Sequence, residues 1–348
     1  MMQRRAMMKG MGAAVAAGAM PDLALAKGNS FTWQNPIFDG ITGGIRDAQV
    51  LRDGGRWHLV GTAPEFWTGP NLGVRIFSSD TLTSWGEERL LIDRSKLDPS
   101  VWYYDRFWAP EIHRIEGKYW LVVNCRNESE AHKHSHGTLL ARADALDGPY
   151  EILTPKQPLV TGNDMTIFTD DDGQTFGYWN QEKVIKGGRL WLDGGKFLGE
   201  PWDCFYVGGP QAWDKIGIEG PYVIKRDGRY YMFYSSWSRG YEIGYATADR
   251  PEGPWTKFSG NPIYGAQNER ECEKAGLACN VDTRTPYRAV GHNEVFTGPD
   301  GRLWISCHGI LRDGPHAGIP SLVIEPIDFV NGEIRIKGPT STPQTVTW

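Results

Sequence analysis

The chain has 348 residues, of which 40% are hydrophobic and 23% charged, with a formal net charge of −5. This is a globular composition, and its net acidity gives no electrostatic case for a nucleic-acid partner. The 15 Trp, 14 Tyr and 13 Phe suit sheet-to-sheet cores and surfaces for the flat apolar faces of sugars. The odd count of five Cys argues against a full disulfide framework.

Residues 1–26 read as an export signal. A basic start with Arg4-Arg5 precedes a short Ala, Gly and Met run that ends at Ala24-Leu25-Ala26, which resembles a twin-arginine signal. The run is too short and Gly-rich for a membrane span. Cleavage is expected after Ala26, giving a periplasmic or secreted protein.

From residue 30 to 348 no linker or charge block divides the chain, so one domain is expected. It is organised by a weak repeat. In chain order come the hairpins "AQVLRDGGRWHLVGT", "PEIHRIEGKYWLVVN", "MTIFTDDDGQTFGYW", "PYVIKRDGRYYMFYS" and "NEVFTGPDGRLWISC". Each is an alternating or continuous apolar strand pair around an acidic-Gly turn, a strong short-range hairpin signal. After three of them follow related segments, "LGVRIFSSDTLTSWGEERLL", "HGTLLARADALDGPYEIL" and "YEIGYATADRPEGPWTKF". The units begin near residues 45, 109, 164, 219 and 292. Five copies of a four-stranded unit, with helical patterns nearly absent, predict an all-β fold, a five-bladed β-propeller. Between the last two units, Cys272 and Cys279 bracket the loop "CEKAGLAC" and are placed to pair in an oxidising compartment.

In a propeller the first strand of each blade lines the central channel. The residues opening those strands are Arg46-Asp47, Trp108-Ala109-Pro110-Glu111, Asn163-Asp164, Glu219-Gly220-Pro221 and Gly291-His292-Asn293. Four blades present acids there and one presents a histidine. Packing alone does not favour carboxylates crowded at a narrow axis, because like charges repel and burial disfavours ionisation. Two carboxyl groups facing across a pocket are what glycosidic cleavage requires.

Taken in order, the Asp heading the first unit, "Trp-Ala-Pro-Glu-Ile", "Asp … Phe-x-Asp-Asp-Asp-Gly", "Glu-Gly-Pro-Tyr" and "Gly-His-Asn" resemble glycoside hydrolase family 43 from about residue 35 to the C-terminus. That resemblance implies an inverting, exo-acting hydrolase that releases a terminal arabinofuranose, xylose or galactose-type sugar from a polysaccharide or oligosaccharide. It implies Asp47 as the general base that activates water, Glu219 as the general acid and Asp164 as the residue that tunes and orients the acid. An ionised Asp164 near Glu219 would help keep the acid protonated. By the same resemblance His292 is the channel histidine. No cofactor is required, with room for a structural calcium in the channel that His292 would reach through waters. One histidine alone does not make such a site.

Further expectations concern the surroundings. Trp108 should reach the pocket floor and stack on a sugar, with Phe107, Trp179 and Trp237 as rim or wall residues. Arg288 is placed to bond a substrate hydroxyl or to hold Asp47 ionised, whereas Arg46 would point away on a regular strand. Glu111 reads mainly as structural. Asp170-Asp171-Asp172-Gly173 reads as turn chemistry, and His132, His134 and His136 as an exposed loop. The family's usual Asp-Pro is Asp47-Ala48 here, and the long aromatic loop from Asp93 should shape the rim. Two rival readings are a non-catalytic carbohydrate-binding propeller, which needs no neutral acid opposite an ionised one, and a related five-bladed retaining glycosidase, whose Trp-Met-Asn-Asp-Pro opening is missing.

Overall fold

The computed structural model describes residues 29–132 and 136–348; the export segment 1–26 and His134 lie outside them. The five hairpins open five consecutive antiparallel sheets arranged as a five-bladed propeller. Their inner strands are Arg46–Asp53, Arg106–Ile115, Asn163–Thr169, Glu219–Arg226 and Tyr287–Thr297. Three of the turns are two-residue loops in which both positions have positive φ: Gly54-Gly55, Glu116-Gly117 and Asp227-Gly228. That conformation matches the right-handed twist of the paired strands. The turns of blades three and five are longer, joining Thr169 to Thr175 and Thr297 to Leu303. In the former, Asp170 accepts hydrogen bonds from the Asp171 amide, Lys225 and Tyr230. The acidic run is therefore a turn tied to the next blade.

The hydrophobic core lies between blades rather than at the axis. One cluster fills each of the five seams, such as Phe77, Trp57 and Phe296 between blades one and five, and Phe176, Tyr178 and Tyr234 between three and four. Most of the tryptophans are spent there, Trp102, Trp179 and Trp304 being almost fully buried. Truncating one such side chain typically costs about 3–5 kcal/mol. Every blade uses consecutive strands, so the ring closes by packing at the seam between blades five and one. A short pair, Ser30–Trp33 with Gln344–Thr347, lies over this seam, and Trp33 meets Trp304 edge-on at 4.7 Å.

All five inner strands carry an irregularity at the same place. The register with the second strand slips between Arg46 and Gln49, Trp108 and Glu111, Asn163 and Thr166, Glu219 and Tyr222, and Gly291 and Glu294. The extra residue in each is left-handed: Asp47, Ala109, Asp164, Gly220 and His292, with φ of 44 to 58°. A bulge bends its strand and re-aims the flanking side chains. Repeated five times around an axis, it re-aims the side chains at the bulge and just before it, Arg46, Asp47, Asp164, Glu219 and His292 among them, toward one end of the channel.

Blade four adds a strand, Tyr264–Gln267, beside Gly240–Ala248. It leads into a one-helix segment, Glu269–Ala275, capped by Asn268 and ended by left-handed Gly276. Cys272 and Cys279 form a disulfide across it. Cys125 and Cys307 are free and buried, and Cys204 is half-buried.

Candidate active site

At the bulge end of the channel the blades deliver Asp47, Asp164, Glu219 and His292 to one place. Asp47, Asp164 and His292 are the bulge residues themselves. Glu219 stands one position earlier, because blade four has Gly220 at the bulge. The reason for this glycine is steric as well as conformational: a Cβ on Gly220 would sit 3.3 Å from three atoms of the His292 ring. The ring lies flat against the backbone there. Its Nδ1 is 3.3 Å from Asp47 Oδ1, 4.0 Å from Asp164 Oδ2 and 3.4 Å from Tyr241 Oη.

Asp47 is buried, and burial alone would raise its pKa. Arg46, His292, His308 and a hydrogen bond from Thr62 more than offset this and hold the carboxyl below the usual range. Its two oxygens differ. Oδ2 accepts from Thr62 Oγ1 at 2.6 Å, and the same hydroxyl accepts from the Ala109 amide at 2.7 Å. Oδ1 is buried and has no hydrogen-bond partner among the described residues, though Arg46 lies 3.7 Å away. The Asp47 amide donates to His308 Nδ1 at 3.1 Å, so that nitrogen is an acceptor. Burial and Arg46 push the His308 pKa well down, consistent with a neutral ring.

Asp164 behaves oppositely. Burial pushes its pKa up to about 7, and the carboxylates of Glu219 and Asp47 add to the shift, against the pull of His292 and Arg46. Glu219 is half-buried and accepts a hydrogen bond from the Tyr241 hydroxyl. The His292 pKa is raised; burial opposes this, but Asp47, Asp164 and Glu219 prevail. The site is thus an anion, a carboxyl that keeps its proton to near neutrality, a third carboxyl held by a phenol, and an imidazole that favours its charged form.

Ligand atoms of Asp164, Glu219 and His292 lie within 4.8 Å of one another. As a calcium site this donor set is poor. It offers two carboxylates and one imidazole nitrogen where calcium takes six to eight oxygens. The next layer of the channel holds Gln49, Glu111, Thr166, Tyr222 and Glu294. Glu111 contacts His113 Nε2 at 2.9 Å. Burial and then Glu111 raise the Glu294 pKa well above the ordinary value. Glu111 therefore stands one layer below the acids, in keeping with a structural part.

A cavity of about 580 Å³ opens over Glu219, Arg46, Tyr241 and His308, with Trp67, Trp237, Arg270 and Arg288 on its walls. Trp237 and Arg288 therefore line the cavity. Arg288 is exposed, and the charge beside Asp47 is Arg46 instead. The bulge is what turns Arg46 inward, at the register that Glu219 occupies in blade four; a regular strand would have aimed it away. Trp108 is half-buried beneath Arg106, 4.5 Å from its guanidinium, and its indole N–H donates to Phe66 O. Phe107 and Trp179 do not reach the cavity. They are 1% and 2% exposed and belong to the seams between blades one and two and between two and three. Of the loop histidines, His132 Nε2 lies 2.7 Å from Ser100 O, and His136 lies near Trp108 and Asn124.

Sequence reasoning missed Arg46, Thr62, Tyr241, His308 and Trp67. His308 had a signal, being an isolated polar residue in the apolar run "LWISCHGIL". Tyr241 and Thr62 had none, since both look like ordinary strand residues.

The model of "Glycosyl hydrolases family 43" matches residues 33–334. The chain is 30% identical over 250 residues to a β-D-galactofuranosidase of Aspergillus niger, a match that covers 65% of this chain and 62% of that one. It is 24% identical over 328 residues to an extracellular endo-α-(1→5)-L-arabinanase of Bacillus subtilis, covering 79% and 66%. It thus spans about two thirds or less of the length of these curated relatives. Among solved structures, a thermostable family-43 glycoside hydrolase superposes with a TM-score of 0.71 at 29% identity, covering 90% of this chain and 98% of the other.

Proposed function

The chain belongs to glycosyl hydrolase family 43, and on that premise we propose that it is an inverting, exo-acting glycosidase that releases a terminal arabinofuranose, xylose or galactose-type sugar. The observation that carries this reading is the asymmetry of Asp47. One of its oxygens is engaged by Thr62, and the other has no hydrogen-bond partner among the described residues and faces Arg46 and His292. A carboxylate so arranged is anionic, oriented and able to take a proton on Oδ1.

In this mechanism Asp47 Oδ1 accepts a proton from water as the water oxygen attacks the anomeric carbon. The glycosidic bond breaks, and Glu219 gives its proton to the departing oxygen. Positive charge growing on the sugar ring is met by the nearby carboxylates. Asp164 and His292 fix the charge around Glu219, while Tyr241 orients its carboxyl. Arg46 and Thr62 hold Asp47 in place. No metal is needed for any of these proton movements. The walls formed by Trp67, Trp237 and the segment around Arg270 favour a pocket that admits a chain end. The predicted export signal and the extracellular naming of several relatives support a periplasmic or secreted protein that acts on external glycan.

The test is turnover of aryl glycosides of arabinofuranose, xylose and galactose, with the first-formed anomer followed by proton NMR. An inverted product is expected. A retained anomer would remove the water-activating role of Asp47. Release of only monosaccharide from a polymer is expected for exo action; early oligosaccharides would show internal cleavage.

A further inference from the structure

The cavity over Glu219 carries more positive charge than the chemistry above uses. Four guanidinium groups line it: Arg46, Arg270, Arg288 and Arg312. Arg46 is committed to Asp47 and to the face of Trp67, 5.2 Å away. Arg312 pairs with Glu269 at 3.3 Å and donates to Gln267 O. Arg270 and Arg288 are exposed, and neither has an ion pair among the described residues. The two acids on the same rim are neutralised, Glu269 by Arg312 and Glu271 by Lys274 at 2.8 Å. The excess is local, because the chain as a whole carries −5.

The two free cations are also pre-positioned. Arg288 opens the region of the inner strand of blade five that faces the cavity, and its carbonyl accepts from Asn268 Nδ2 at 3.0 Å. Asn268 caps the helix that begins with Glu269 and carries Arg270, and the Cys272–Cys279 disulfide closes that segment. A second tie runs from the Asn280 amide to Gln267 Oε1 at 2.8 Å. Two guanidinium forks on linked elements, beside the half-exposed indole of Trp237, can grip a planar or tetrahedral anion while the indole covers a sugar face.

We propose that the substrate glycan bears an anionic group, a uronate carboxylate or a sulfate ester, held between Arg270 and Arg288. This rests on the glycosidase reading above and names the substrate class for the same cavity. A neutral glycan would leave both guanidiniums in water with nothing to select.

The test uses the full chain with Glu219→Gln, so that glycans bind without turnover. Calorimetry at low salt compares a xylo-oligosaccharide carrying one glucuronate with its methyl ester, and a sulfated galacto-oligosaccharide with its desulfated form. In at least one arm the charged member should bind about tenfold or more tightly than its neutral partner, and the arm that does so identifies the group. The preference should fall to about twofold or less when Arg270→Ala and Arg288→Ala are combined, and should weaken with added salt. Equal affinity within both pairs overturns the proposal, as does a preference that the double substitution leaves intact. The glycosidase reading is scored separately by the unsubstituted protein on neutral aryl glycosides. Hydrolysis there without any charge preference in binding removes only the anion site. Charge-selective binding with no hydrolysis of either neutral or charged glycosides removes the glycosidase reading and keeps the anion site.

Discussion

Thr62 donates to Asp47 Oδ2 and accepts from the Ala109 amide, so one hydroxyl on the second strand of blade one both orients the carboxylate and fastens the bulge of blade two. Thr62→Val keeps the shape and removes both bonds. Loss of the two buried bonds should lower stability by about 1–3 kcal/mol, measured by urea unfolding. It should reduce kcat by about tenfold through misorientation of Oδ1. Asp47→Asn, which removes the base but not the shape, should cost on the order of 10²–10⁴ in kcat. Full activity in Thr62→Val would mean that Asp47 is positioned by its cations alone.

Asp164 sets the second expectation. Its carboxyl is lifted to about 7 by burial, with Glu219 and Asp47 adding to the shift, so Asp164 holds its proton below that pH and loses it above. In the proposed reaction Glu219 delivers the leaving-group proton, and Asp164, with a carboxylate oxygen within 4.8 Å of it, is the neighbour that resupplies it. Consequently kcat/KM should fall as pH rises past about 7. In Asp164→Asn the remaining activity should lack that inflection. A wild-type profile that is flat from pH 6 to about 8 would detach Asp164 from the proton inventory.

Gly220 offers a steric test that replaces no titrating group. Its φ is +58°, where a side chain costs about 1–2 kcal/mol, and its Cβ would press on the His292 ring at 3.3 Å. Gly220→Ala should lower the unfolding free energy by about that amount. It should also displace His292 from Asp47 Oδ1 and reduce kcat more than it raises KM. Gly228 has a similar φ of +77° but open space around it, so Gly228→Ala should show the stability loss without the loss of kcat.

The fold was legible because its signal is local and repeated. Five acidic-Gly turns between apolar runs specify five hairpins, and their spacing specifies blades. The axial acids were legible for a related reason, since Asp47, Asp164 and Glu219 each sit six to eight residues ahead of a turn. What was hidden is the bulge. A two-residue alternation sends Arg46 outward, and only a left-handed residue at Asp47 turns it in; no composition or spacing rule announces a left-handed aspartate. Phe107 and Trp179, expected at the rim, are instead placed by the pleat in the inter-blade seams, where they are almost fully buried. Tyr241 and Thr62 come from second and third strands. Their roles depend on how neighbouring blades approach, which is tertiary information.

Glu325 supplies a test of stability away from the cavity. It sits on the third strand of blade five and accepts from the Thr340 amide and hydroxyl and from Asn35 Nδ2, tying the strand to both terminal segments. Burial lifts its pKa to about 7; these hydrogen bonds pull the other way but do not prevail. A carboxyl whose folded pKa is raised binds its proton more tightly in the folded state, so its stabilising contribution is fully present below the ordinary carboxyl range. It is lost as pH rises through that range to about 7. Glu325→Gln resembles the protonated form at every pH. The stability of the variant relative to the unsubstituted protein should therefore rise between pH 4 and about 8, with most of the change complete by about 7. Activity at neutral pH should be little altered, because the residue lies under the terminal strands rather than at the axis. A difference between the two proteins that stays constant with pH would mean that Glu325 is already ionised in the fold, with its hydrogen bonds outweighing its burial.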